Sequence, residues 1–348
     1  MDLQQRINAF VQLGTFLREI SSESISKTSS SKFHNQIPQI LQAAQNNNRW
    51  FTETNIKFAF ASWGHALTET TINSWLSSYS ITQKIPNTIA IIMAGNIPLV
   101  GFHDFLSVLM SGNKVLAKLS SNDNILLPFL VSFLVEQHSD FKESIQLTEK
   151  KVTNFDAVIA TGSDNTARYF EYYFGKYPHI IRKNRNSVAV LTGKETEEQL
   201  LSLSDDIFQY FGLGCRNVSK LFIPKEYDFH PFFEAMFNKK EYINNHKYIN
   251  NYDYNKAVYL MSNIKLLDNE FLLLKQDSGY SSPISVVFYE TYEDLSELQT
   301  KFSEDKDRIQ AIVGNSGIAG EIPFGKAQQP TLWDYADGVD TMKFLVEL

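Results

Sequence analysis

The sequence predicts an α/β protein: a Rossmann-type parallel sheet, a second α/β domain, and helices ahead of both. Three observations lead there. From residue 87 onward short apolar runs alternate with amphipathic segments, the rhythm of helices crossing over a parallel sheet. The runs close in Gly, Asn, Ser or Thr, residues suited to strand-end turns. Ahead of residue 87 the patterning is helical apart from a serine-rich connector. A chain of 348 residues can bury a large core and supply two domains.

Residues 2–20 place Leu3, Ile7, Phe10, Val11, Leu13, Phe16 and Leu17 on one face, which predicts a helix. The serine-rich stretch 21–32 reads as a connector, and two helical patterns follow at 33–47 and 51–78. "NTIAIIMAGN" (87–96) is a strand ending in Gly-Asn, and 97–113 is helical, closed by Gly112-Asn113. "KVLAKLS" (114–120) is a strand, and 125–138 a helix whose first turn suits Pro128. "FDAVIATGS" (155–163) is strand then turn, "DNTARYFEYYFGK" (164–176) a helix, and "SVAVLTG" (187–193) a strand. The helix over 196–212 opens on Thr196 and Gln199 in capping-box spacing. Strands are predicted again at 219–224, 256–261, 284–290 and 309–314, with 238–256 as a surface excursion or a binding loop.

Composition narrows the function. Apolar residues make up 43% and charged residues 20%, with a net charge of −7 and no basic stripe, which argues against nucleic acid as a partner. The single cysteine cannot form an internal disulfide and fits a reducing cytoplasm. The N-terminus lacks the apolar block and small-residue cleavage site of a signal peptide. The apolar stretches 88–110 and 125–135 are interrupted by polar residues, glycine and proline, so no membrane span is expected. The seven histidines show no metal spacing, so no metal is expected.

Four places can carry chemistry. Cys215 follows Gly212 and Gly214 and precedes Arg216, a setting for either an activated thiolate or a buried inert thiol. Asn96 ends a strand between glycine and Ile-Pro, where an amide can donate to an oxyanion or simply make a tight turn. Lys118, Ser120 and Ser121 end the next strand and suit a ribose or phosphate, or a plain polar loop. Thr161, Gly162 and Ser163 lead into a helix whose first N–H groups suit a phosphate, with helix capping by Ser163 the alternative. There is no GxGxxG and no Walker lysine motif.

The order of these pieces resembles the aldehyde dehydrogenase superfamily: "AGNIPL", "SGNKVLAKLSS", "VIATGS", "NSVAVLTG" and "FGLGC". More narrowly, "MAGNIPLVG", "KLSSNDN" and "DAVIATGS" resemble the long-chain acyl-CoA reductase family, the LuxC-like fatty-acid reductases, over residues 86–348. The tail "PFGKAQQPTLWDYADGVDTMKFL" is similar to the superfamily's C-terminal Pro-Phe-Gly segment. The resemblance implies a helical region over 1–85, a cofactor domain over 86–212 and a catalytic domain over 213–348. It implies Cys215 as nucleophile and Asn96 as oxyanion donor. It implies Lys118, Ser120 and Ser121 at the adenosine ribose, with Thr161, Gly162 and Ser163 near the diphosphate and nicotinamide.

Departures from the pattern sharpen the expectation. Where hydrolytic members carry a water-activating glutamate, this chain has "IIRKNRNS" (180–187), with Arg182 at or beside that position. Ser121 replaces the acid that would repel a 2′-phosphate, which favours NADPH. "GYSSP" (279–283) stands where the superfamily has a Glu-containing segment. The activity implied is NADPH-dependent reduction of a fatty acyl-CoA to aldehyde. Alternatives are an acyl-carrier-protein substrate, CoA-acylating aldehyde oxidation, or a catalytically silent nucleotide-binding or scaffold protein. Chain length suggests a reduced oligomerisation hairpin and leaves homo-oligomerisation open.

Overall fold

A computed structural model of the chain describes residues 1–22, 32–82 and 85–348. Most of the serine-rich connector, residues 23–31, lies outside the described residues. The chain divides into two compact units, 1–183 with 331–348, and 184–330.

The first unit opens with α1 (Leu3–Ser21), started by a capping box in which Asp2 accepts from the Gln5 N–H and Gln5 accepts from the Asp2 N–H. Next come α2 (Lys32–Asn47), α3 (Glu53–Ala66) and α4 (Glu69–Leu76). The single helix expected over 51–78 is therefore two, because Thr68 accepts from the Thr71 N–H and caps a new start. The sheet follows as β1 (Thr88–Ile92), α5 (Phe102–Met110), β2 (Lys114–Lys118), α6 (Leu126–Gln137), α7 (Phe141–Ser144), β3 (Ile145–Thr148), β4 (Ala157–Thr161), α8 (Asp164–Phe174) and β5 (His179–Arg182). The helix expected from 97 begins only at Phe102, since the chain turns through Leu99 at φ 58.

The strands lie in the order β3-β2-β1-β4-β5, every neighbouring pair parallel. The chain winds one way from β1 and the other way from β4, so the switch point of the sheet lies between these two strands. One face packs Ile89, Ile91, Val115 and Ile159 against α1, α5 and α6, through Phe10, Leu13, Phe102, Phe105, Leu127 and Leu130. The other face, with Ala90, Leu116, Val158 and Ala160, is covered by Phe170 and Phe174 of α8. The C-terminal helix Thr341–Glu347 also belongs to this unit, adding Met342 and Leu345 to the first core.

Arg182 closes β5 as a buried side chain. It makes a bidentate pair with Asp104 of α5, with Nη2 to Oδ1 at 2.8 Å and Nη1 to Oδ2, and also donates to Thr341 Oγ1 at 2.9 Å. The residue that sequence comparison set near the place of a water-activating glutamate is thus an internal tie between strand, helix and C-terminal segment.

The second unit contains β6 (Asn186–Val190), α9 (Glu197–Phe208), a 3-10 turn at Gln209–Gly212, and β7 (Val218–Pro224). After these come α10 (His230–Met236), α11 (His246–Met261), β8 (Leu266–Asp268), β9 (Leu273–Gln276), β10 (Val286–Tyr292), α12 (Leu295–Glu304), β11 (Ile309–Gly314) and β12 (Glu321–Ile322). The strand order is β12-β11-β6-β7-β10-β9-β8, parallel except for β8 with β9. The strand expected at 256–261 is the last part of α11, and the excursion over 238–256 is 3-10 and α-helix. A short apolar run has no periodicity to separate the two states, and the Asn245 cap, accepting from Lys247 and Tyr248 N–H, starts a helix that runs through it.

The domain division also needs correcting. It falls at Asn184, not between 212 and 213, because β6 pairs with β7 and β11 and carries α9 with it. The helices of 1–85 belong to the same compact unit as the first sheet, and residues 331–348 return to that unit.

Within the second unit, buried Asp206 of α9 holds the Pro-Phe-Gly segment. Its carboxylate accepts from the Gly325 N–H at 2.6 Å and the Ala327 N–H at 2.9 Å. Desolvation by burial outweighs these two bonds and raises the carboxyl to about 7.

Two expected outcomes follow for stability. Removing one partner of the first unit's ion pair, as in Asp104→Asn or Arg182→Met, lowers the unfolding free energy in urea by about 3–5 kcal/mol, whereas Asp104→Leu combined with Arg182→Met recovers most of the loss. Wild-type values from the double variant's single parents would show that the pair is dispensable. For Asp206, the native state keeps a proton that the unfolded carboxyl, near its ordinary value of about 3.9, has released. Its contribution is therefore full below pH of about 4 and is lost as pH rises through 7. The stability difference between wild type and Asp206→Asn falls from pH 5 to pH 8, and a flat difference over that range counts against the raised value.

Candidate active site

Parallel strands deliver their carboxyl ends to one edge, and seven of the eight sequence candidates stand at that edge of the first sheet. Asn96 is exposed in the turn after β1. Lys118 ends β2, half-buried, with Ser120 half-buried and Ser121 exposed just beyond. Thr161 ends β4, and Gly162 and Ser163 lead into α8.

The loops after β1 and β2 are fastened together. Gly95 approaches Ser120 so closely that a Cβ on Gly95 would lie 2.5 Å from Ser120 Oγ, so only glycine fits there. The Leu99 N–H donates to Asp123 Oδ2 at 2.9 Å. Burial raises the Asp123 carboxyl to about 6, against the lowering effect of its backbone hydrogen bonds. The end of α2 reaches both loops, with Asn47 Nδ2 donating to the Ser121 carbonyl at 2.9 Å and Asn48 Nδ2 to the Gly95 carbonyl at 3.4 Å. Among the described residues the Lys118 ammonium has no hydrogen-bonding or ionic partner. Ser163 caps α8, its Oγ accepting from the Thr166 N–H at 3.4 Å and lying 2.9 Å from Thr166 Oγ1. An ammonium and two hydroxyls at the end of β2, and a helix start at the end of β4, the two strands that flank β1, form a donor set suited to phosphate and ribose oxygens.

Cys215, the eighth candidate, belongs to the second unit. It is exposed rather than buried, in a turn closed by the Asn217 N–H donating to the Gly214 carbonyl at 3.0 Å. The chain enters this turn through three successive left-handed residues, Tyr210 (φ 54), Phe211 (φ 59) and Gly212 (φ 77). The two aromatic residues cost about 1–2 kcal/mol each in that conformation. Both rings are buried, and Phe211 packs on Tyr242 and Tyr248. Ser187 Oγ donates to the Cys215 carbonyl at 3.0 Å, and Arg216 Nη1 donates to the Ala327 carbonyl at 3.5 Å. The Cys215 turn is thereby joined to the Pro-Phe-Gly segment that Asp206 anchors.

Further along β7, Lys220 is fully buried. Its ammonium donates to the Ser278 carbonyl at 2.9 Å and to Glu290 at 2.5 Å, and lies over the rings of Phe222 and Tyr280. Burial lowers its pKa, opposed by Glu290. Lys220 thus fixes the chain just ahead of "GYSSP". Asn47, Asn48, Asp206, Asn217 and Lys220 all escaped the sequence reading, and Asp123 figured in it only within "KLSSNDN". Two had a usable signal: Lys220 is the one charged residue within the strand Val218–Pro224, and Asp206 lies on the apolar face of α9, three residues after Leu203.

At the carboxyl ends of β6 and β11 the backbone N–H groups are already occupied. Glu195 accepts from the Thr192 N–H at 2.6 Å, Thr192 Oγ1 at 2.8 Å and the Gly193 N–H at 3.1 Å. Glu321 accepts from the Ser316 N–H at 2.8 Å, Ser316 Oγ at 2.5 Å and the Gly317 N–H at 3.0 Å. A cavity of 340 Å³ beside the Glu195 turn, lined by Gly193, Glu195, Pro224 and Tyr227, lies past the end of β7, whereas Cys215 precedes its start. Among the described residues no group of three His, Cys, Asp or Glu side chains could hold a metal ion, and no helix is long and apolar enough to cross a membrane.

Comparisons with known proteins bear on the fold and on the family. Aldehyde dehydrogenase 21 from Physcomitrella patens, solved with succinate, superposes with a TM-score of 0.66 at 12% identity, over 100% of this chain and 84% of that one. The aldehyde dehydrogenase from Bacillus cereus, solved with NAD+, gives a TM-score of 0.61 at 12% identity, over 91% of this chain and 72% of that one. At such identities the likeness is one of fold: the chain has the aldehyde dehydrogenase fold. The long-chain acyl-protein thioester reductase of Aliivibrio fischeri is 24% identical over 139 residues, 36% of this chain. That match spans 29% of the curated relative's length. The family model of acyl-CoA reductase (LuxC) matches residues 64–239, just over half of the chain and the stretch that holds all eight candidate residues. On that match, the chain belongs to the acyl-CoA reductase (LuxC) family.

Proposed function

We propose that the chain reduces a fatty acyl-CoA thioester to the aldehyde with NADPH, in the cytoplasm, through an acyl group held on Cys215. The observation that carries the reading is the family match over 64–239, which contains Asn96, Lys118, Ser120, Ser121, Thr161, Gly162, Ser163 and Cys215 in order. The exposure of Cys215 in a braced turn supports its role as nucleophile.

Lys118, Ser120 and Ser121 would hold the adenosine end of the cofactor, and Thr161, Gly162 and Ser163 the diphosphate region. The ammonium of Lys118 and the absence of an acid at Ser121 favour a 2′-phosphate. When bound, the reduced nicotinamide supplies hydride. The Cys215 thiolate attacks the thioester carbonyl, forming a C–S bond. The Cys215 N–H would donate to the oxyanion, with Asn96 the further donor that the family resemblance implies, each such contact typically worth about 2.7–4 kcal/mol. The CoA thiolate leaves and takes a proton from solvent water, so the acyl group remains on Cys215. Once its carbon is reduced, the C–S bond to Cys215 breaks and the aldehyde departs. The stretch "IIRKNRNS" contains no glutamate to activate water against the acyl group, and its Arg182 is engaged with Asp104.

A second reading changes the donor: an acyl group carried on a protein, favoured by the name of the Aliivibrio fischeri relative. The two separate in one experiment. Intact mass after incubation with an acyl-CoA panel, without NADPH, shows a gain of one acyl group that Cys215→Ala abolishes. Addition of NADPH removes that mass and consumes the reduced cofactor. Labelling by acylated carrier protein alone favours the second reading, and no labelling by either donor favours a silent nucleotide-binding protein. Lys118→Ala raises the half-saturating NADPH concentration about 10- to 100-fold, as expected for a lost charge-assisted contact, with a smaller change for NADH. Equal changes for both cofactors would remove the case for a 2′-phosphate at Lys118.

A further inference from the structure

We propose that Asn217 is the positioning residue of the Cys215 turn, an inference that rests on the reading of Cys215 as the acyl-accepting nucleophile. Asn217 is 2% exposed. Its Nδ2 donates to the carbonyls of Asp206 at 3.1 Å, Ile207 at 3.2 Å and Gln209 at 2.8 Å. Its Oδ1 accepts from the Gly214 N–H at 2.8 Å, and its own backbone N–H donates to the Gly214 carbonyl at 3.0 Å.

These bonds solve a problem the sequence creates. A helix leaves its last carbonyls without intrahelical partners. The left-handed run from Tyr210 to Gly212 swings the chain away from α9, so the next residues do not continue the ladder. One amide gathers those carbonyls and, from its other end, closes the turn that carries Cys215. Ser187 holds the Cys215 carbonyl from β6. The peptide of Cys215 is therefore fixed from both sides, and with it the direction of its N–H and of its side chain.

The residue type is specific. Asp at 217 could still accept from Gly214 but would set carboxylate oxygens against three carbonyls. Ala would leave the carbonyls and the Gly214 N–H without their partner. A nucleophile displaced by about 1 Å can lose about 100-fold in rate, so a side chain that never meets substrate can govern the chemistry.

The test uses Asn217→Ala and the near-isosteric Asn217→Asp in the whole chain, with two readouts. Hydrogen exchange by mass spectrometry follows the peptide spanning 209–217, and intact mass follows acylation of Cys215 by acyl-CoAs from acetyl to palmitoyl. The expected result is faster exchange in that peptide, unchanged exchange in the five strands of the first sheet, and acylation slowed about 100-fold with little change in half-saturation. A folded variant with wild-type exchange in that peptide overturns the proposal, as does faster exchange with wild-type acylation. If Asn217→Ala does not fold, Asn217→Asp decides. If wild type is not acylated by any donor, the functional reading fails by itself, and the exchange readout alone supports or overturns Asn217 as the brace of the turn.

Discussion

Parallel pairing is the constraint on which the first unit depends. Every strand of β3-β2-β1-β4-β5 runs the same way, so each must return by a crossover and each must end at the same edge. The turn after β1, the lysine of β2 and the Thr-Gly-Ser turn of β4 become neighbours because hydrogen-bond geometry allows them no other place. The winding reverses between β1 and β4, which opens the edge where their loops diverge. Chemistry spread over nearly seventy residues of sequence is thus collected by the backbone before any side chain makes a contact.

The second unit depends more on individual polar side chains. The turn around Cys215 has no strand or helix to hold it, and buried groups take over. Asn217 fastens it to the end of α9, Ser187 fastens it to β6, and Asp206 holds the segment on which Arg216 rests. Lys220 fixes the chain at Ser278 in the same manner. Each of these is a buried polar group whose loss would leave partners unsatisfied, which makes such positions costly to change. The conformational cost of Tyr210 and Phe211 is sustained by the aromatic packing around them and by these bonds.

What the sequence disclosed, and what it hid, follows from the range of the forces involved. Local patterns revealed the strands at 88–92, 114–118, 157–161 and 218–224 and the helix after Thr196, because periodicity and capping act within a few residues. Motif order pointed to the candidate residues of both units. Hidden were features set by distant partners. Arg182 drew notice in sequence only as standing where a glutamate was expected, and nothing local announced the partners, Asp104 and Thr341, that it meets in the core. The α11 run 256–261 has strand-like composition, yet the cap at Asn245, well before it in sequence, decides its state. Short strands such as β3, β5, β8 and β12 carry too few residues for any period to register. The unit boundary moved to Asn184 because β6 takes its partners from later in the chain.

The carboxylates of Glu195 and Glu321 bear on the economy of a chain with two parallel sheets. An open α/β sheet presents backbone N–H groups at its carboxyl edge whether or not a ligand is wanted there. In the second unit Glu195 and Glu321 supply the negative charge internally, bonded to Thr192, Gly193, Ser316 and Gly317. An incoming anion at those turns would have to evict a tethered one of the same sign. The two sheets are consequently not interchangeable as hosts, since the second comes with its own tenants at these turns.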